Sequence, residues 1–249
     1  LKAQFPVSSG ETRISDRQDR GFTWNLAFAN WTSRAGERVT LWQRRDVSAR
    51  VEGNKIRYDE IFPGMSDQYE IRPGLVKHDL VLQTRPELPG GVGCTFDISG
   101  ILELDSGLRF LVNGEPTTSS FTTQSVIPVI DEEGTVLFSI GLPLALEEGG
   151  AGVHLGSFQL TRVREGRYEV RQRISADWLL AEDRHYPVRI DPTTYANSSV
   201  KLGTSSFYDN TWPFSNTYQW ECYGNESNGA NWYRTGNMCF GWYSLAVGA

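Results

Sequence analysis

At 249 residues the chain is long enough for one large or two modest domains with real cores. Its 39% hydrophobic and 22% charged residues are those of an ordinary globular protein and exclude a disordered one. A net charge of −6 argues against nucleic acid as the main partner, because neutralising phosphates takes a basic face. No run of about 18 apolar residues occurs, so no membrane span is expected.

Taken in order, turn residues recur at short intervals and the segments between them alternate, the pattern of an antiparallel all-β sandwich. Strands are expected at 23–28, 39–44, 55–61, 68–72, 75–84, 93–98, 101–104, 108–112, 125–130, 135–140, 157–164 and 167–174. Asp105-Ser106-Gly107 and Asp131–Gly134 supply hairpin turns with glycine where a left-handed residue is needed. Glu165-Gly166 predicts a third hairpin that pairs Arg164 with Arg167, Val163 with Tyr168 and Arg162 with Glu169. One helical turn is expected over 176–182, capped by Asp177. Segments 86–91 and 147–152 read as loops, with Gly149–Gly152 an exposed tip.

The composition breaks after the run Arg184 to Pro192. Residues 1–192 hold 49 charged side chains, whereas 193–249 hold five, with 13 aromatics, seven Asn and six Gly. The expected division is a β-sandwich over 1–192 and a smaller aromatic-rich β-module over 193–249. Hairpin signals at Asn228-Gly229 and Gly236-Asn237 give the second module a three-stranded meander. One face then carries Trp220, Tyr233, Met238, Phe240 and Trp242. The other carries Glu221, Tyr223, Trp232, Arg234 and Tyr243, rings and polar groups able to stack on and bond a sugar. Cys222 and Cys239 fall on opposite faces in this register, but a single bulge reverses that, so a disulfide between them stays open.

Nothing in the chain spells out a reaction. There is no phosphate-binding glycine loop, no GxSxG and no HExxH. Three histidines (His78, His154, His185) and three cysteines lack metal-ligand spacing, so neither a metal nor a cofactor is expected. Asn30, Asn197 and Asn225 head Asn-x-Ser/Thr triplets, glycan acceptors in a glycosylating pathway. The chain begins with Leu1 and ends in what reads as mid-strand, so a removed leader and a longer parent are expected.

Two stretches carry a resemblance: Lys55–Leu82, with its Pro63-Gly64 and Pro73-Gly74 turns, and Asp177-Trp178-Leu179 followed by His185-Tyr186-Pro187-Val188-Arg189-Ile190-Asp191-Pro192-Thr193. Together, residues of about 50–193 resemble the N-terminal region of large bacterial Rhs/YD-repeat and wall-associated surface proteins. The resemblance implies a β-rich, secreted or cell-surface segment placed before repeats, adhesive modules or a delivered toxin, and it brings no catalytic residues. The tail departs from it, having no tyrosine-aspartate repeats.

The preferred functional expectation is therefore a non-catalytic extracellular structural or adhesive module, self-assembling through strand edges. Its expected partners are other subunits or the rest of a longer chain, with glycans a further candidate. One rival is a carbohydrate-binding module using Trp232, Tyr223 and Tyr243 with Arg234 and Glu221. The other is a glycoside hydrolase, which needs two carboxylates at a set separation.

Overall fold

The computed structural model describes residues 1–8, 10–89, 92–148 and 152–196. The chain divides into two units, Leu1–Thr194 and Tyr195–Ala249, and the sandwich lies in the first. The expected β-module residues Glu221, Tyr223, Trp232, Arg234 and Tyr243, the pair Cys222 and Cys239, and the triplets at Asn197 and Asn225 lie outside the described residues.

The strands are β1 (Lys2–Gln4), β2 (Thr12–Ser15), β3 (Gly21–Thr32), β4 (Arg38–Gln43), β5 (Ala49–Glu52), β6 (Lys55–Phe62), β7 (Met65–Arg72), β8 (Leu75–Leu82), β9 (Thr95–Leu104) and β10 (Arg109–Val112). They continue as β11 (Glu115–Thr117), β12 (Phe121–Thr123), β13 (Ile127–Ile130), β14 (Val136–Ile140), β15 (Leu144–Glu147), β16 (Val153–Leu155), β17 (Ser157–Arg164) and β18 (Arg167–Ser175). A one-turn helix α1 (Ala176–Leu179) then leads to β19 (Val188–Asp191) and β20 (Thr194–Ala196).

Two antiparallel sheets result. The first runs β1-β2-β3-β9-β18-β17-β12, with β4 also on β3. The second contains the runs β11-β10-β13-β14 and β8-β19-β15-β16, with the β5-β6-β7 hairpins joined to β8. The sheets meet face to face through rings: Phe22 lies 5.4 Å from Phe138, and Trp24 meets the His78 ring edge-on at 6.3 Å. One continuous apolar core fills the space between them.

Alternation explains which side chains enter it. Along β18, Tyr168, Val170, Gln172 and Ile174 are buried, while their neighbours face outward. Strand β3 changes parity midway. Phe22, Trp24 and Leu26 point inward, but the register with β9 slips between Leu26 and Phe28, leaving Phe28 outside and Ala29 in the core. Gly100 of β9 lies against this bulge, where a Cβ would overlap the Asn25 carbonyl. That close approach keeps β9 a single strand across the glycine, whereas the sequence suggested separate strands at 93–98 and 101–104.

Two further expectations change. The β17–β18 hairpin pairs Arg164 with Arg167 as expected, but a bulge at Val163 then sets Arg162 opposite Tyr168 and Thr161 opposite Glu169. Glu103 on β9 pairs with both Arg164 and Arg167 and relieves their like-charge opposition. At α1 the capping group is Ser175, whose Oγ accepts from Trp178 N at 3.2 Å; Asp177 instead accepts from Gly93 N at 2.9 Å.

Candidate functional site

Three charged clusters stand out in the described residues. The first is a trough of about 400 Å³ across the outer face of β5–β8 and β19. Alternation brings it together: Arg57 faces Gln68, Gln68 faces Asp79, Lys55 faces Glu70 and Glu70 faces Lys77. Most of its cations are paired with carboxylates. Arg72 donates to Glu70 at 2.7 Å, and Lys77 reaches Asp79 at 2.7 Å and Asp191 at 3.0 Å. Arg50 meets Asp59 at 3.3 Å, and Arg189 meets Glu148 at 3.4 Å. The hydrogen bond from Arg72 holds the Glu70 carboxyl below its ordinary range. Burial opposes the charge on Lys77, but Asp191 and Asp79 outweigh it and hold the ammonium above the usual lysine value. The trough is a cross-strand ladder of opposite charges.

The second cluster occupies the inner faces of the same strands. Asp67 of β7 is fully buried, with Arg44 Nη2 on one oxygen at 2.7 Å and His78 Nε2 on the other at 2.8 Å. Tyr69 stacks on the His78 ring at 4.3 Å, and Arg44 lies 5.9 Å from the Tyr58 ring centroid. Burial pushes Asp67 up, yet His78 and Arg44 together bring its carboxyl below the ordinary value. Burial raises the Tyr58 phenol to about 12. No member of this cluster is accessible to a substrate.

The third cluster repeats the same trio with one difference. Glu147, at the end of β15, has a side chain 4% exposed, and it bridges Arg184 through Oε2 and His185 Nδ1 through Oε1, the latter at 3.2 Å. Arg184 lies 3.9 Å from the Trp178 ring centroid and donates from Nε to Trp178 O at 3.0 Å. The His154 ring stacks on Trp178 at 5.4 Å. His154 Nε2 accepts from Ser175 N at 3.2 Å, and burial lowers its pKa, which keeps this imidazole neutral. Gly152 closes the arrangement: any Cβ there would collide with Glu147 Oε2 and Arg184 Nη1. The side chain of His185 is 78% exposed.

Sequence reasoning placed Glu147 at the start of an acidic loop and His185 in a module boundary. The structure joins them across 38 residues, through the pairing of Glu147 with Val188 in β15 and β19. Of the expected glycan acceptors, Asn30 is 1% exposed, its Nδ2 donating to Ser99 Oγ at 2.7 Å and its Oδ1 accepting from Thr40 at 3.0 Å. A glycan has no room there, so the Asn30 triplet is a structural amide. The described residues hold no group of three metal-ligating side chains and no helix long and apolar enough to cross a membrane.

Comparison with known proteins changes the functional expectation. The chain is 26% identical over 227 residues to the tRNA nuclease WapA of Bacillus subtilis (strain 168). It is equally similar to a tRNA3(Ser)-specific nuclease WapA of Bacillus spizizenii and to a tRNA(Glu)-specific nuclease WapA of Bacillus subtilis subsp. natto. Each match covers 88% of this chain but only 9% of the relative. No family model and no solved structure matches. These relatives carry enzyme names, which overturns the expectation of a non-catalytic structural or adhesive module of the Rhs/YD-repeat surface proteins. The sugar-directed rivals, a carbohydrate-binding module and a glycoside hydrolase, gain nothing from them.

Proposed function

We propose that this chain is part of a longer polypeptide that cleaves tRNA and is secreted or held at the cell surface. The observation that carries the reading is the likeness to three tRNA nucleases along 88% of the chain. The sandwich then works with the rest of the longer chain as its partner. A net charge of −6 means that any contact of this stretch with RNA is local, made by a few groups rather than by a broad basic face. Incubating the purified longer polypeptide with bulk tRNA tests the activity. Discrete fragments are expected, and tRNA left intact at excess protein contradicts it. Fractionating a culture of the producing cells tests the address, with the protein expected in the medium or the cell envelope.

A further inference from the structure

Strand β16 is the last strand of the second sheet, with Val153 and Leu155 exposed and His154 half-buried between them. The imidazole Nε2 accepts from Ser175 N at 3.2 Å, and its ring stacks on Trp178 at 5.4 Å. Ser175 ends β18 of the first sheet and caps α1. One side chain therefore fastens the edge of one sheet to the end of a strand in the other. The backbone itself passes between the sheets two residues later, at Gly156, where a Cβ would overlap the Arg173 carbonyl.

Accepting an amide N–H takes a neutral ring with a bare Nε2. A proton on that nitrogen sets two donors against each other and leaves the Ser175 amide unpaired. Among the described residues no carboxylate is paired with this ring. Glu147 of β15 belongs to the same hairpin, but its oxygens hold Arg184 and His185. From β18, Arg173 reaches Asp97, and from α1, Asp177 accepts from Gly93 N. The Trp178 ring by itself favours a charged neighbour, but Arg184 already lies 3.9 Å from its centroid. Burial acts in the same direction as the hydrogen bond and lowers the His154 pKa.

We propose that His154 is an acid-sensitive latch: neutral, it ties β16 to the β18–α1 junction, and protonated, it releases that edge. An opened chain takes up the proton at about pH 6.5, whereas the closed one takes it up only at lower pH. The latch is therefore whole above about pH 6.5 and loosens as the pH falls through the closed-state value. It operates whether or not the longer polypeptide cleaves tRNA.

Hydrogen exchange of the 249-residue chain at about pH 7.5 and about pH 5, read by mass spectrometry and corrected for intrinsic rates, tests the latch. Peptides covering 153–156 and 174–180 are expected to lose about three- to tenfold in protection at the lower pH. Peptides covering β9 are expected to keep theirs. His154→Gln has no ring to charge and is expected to show equal protection at both pH values, whereas His185→Ala is expected to follow wild type. NMR of the wild-type ring needs no variant: the Nδ1–H tautomer is expected at about pH 7.5, with a titration below about pH 6.5. Unchanged wild-type protection at the lower pH overturns the proposal. So does a ring that titrates at or above about pH 6.5, or a loss of protection that persists in His154→Gln.

Discussion

Asp67 and Glu147 are near twins in their partners and opposites in their consequence. Each carboxylate is almost fully buried, and each spans one arginine and one histidine. Asp67 sits on the inner face of a central hairpin, so its whole trio is enclosed and can serve only the fold. Glu147 sits at a strand end beside α1, so the same trio opens at the histidine. Position in the sheet, not residue type, separates a fully enclosed ion cluster from one that opens to solvent.

Several measurements can break or sharpen this contrast. The largest effect is expected at the enclosed trio. Asp67→Ala leaves Arg44 and His78 without their shared anion and should cost about 3–5 kcal/mol, read from urea unfolding. A cost below about 1 kcal/mol means that the cluster is not sealed.

The pH dependence of stability should follow the same residue. The Asp67 carboxyl ionises below its ordinary value, held down by His78 and Arg44 against the effect of burial. Its stabilisation is therefore present above about pH 4 and fades as the pH falls through the lower, folded-state value. Wild type should lose thermal midpoint as the pH falls below about 4, and Asp67→Asn should show a flatter profile there.

Glu147→Ala should be milder, about 1–3 kcal/mol, because one of its partners already faces water. His185→Ala should leave stability within about 0.5 kcal/mol of wild type, because its side chain is exposed. A large loss of stability there would show that the imidazole is part of what holds Glu147 in place. Smallest of all is the trough: Glu70→Ala should leave the unfolding midpoint where it is at any salt concentration, since the Glu70–Arg72 pair is solvent-screened.

How much of this was legible in the sequence depends on how local each feature is. The β7–β8 hairpin could be read outright, because Pro73-Gly74 fixes a two-residue turn and counting back sets Tyr69 opposite His78. From there the inward position of Asp67 follows by alternation, although its arginine, just past the end of β4, does not. Strand β9 was split at Gly100 because glycine reads as punctuation, whereas here it makes room for a bulge in a neighbouring strand. Strands β15, β16 and β19 are three or four residues long and flanked by Pro and Gly, too short for periodicity to show. The Glu147–His185 pair depends on those strands, so it was invisible. A buried acid beside an arginine has no signature until the register is known.

That this chain is part of a tRNA-cleaving polypeptide, as proposed, is tested by incubating end-labelled tRNA with the purified longer protein and resolving the products on a denaturing gel. Discrete cleavage products that accumulate with time are expected. Label that stays in full-length tRNA at every time point and protein concentration contradicts it.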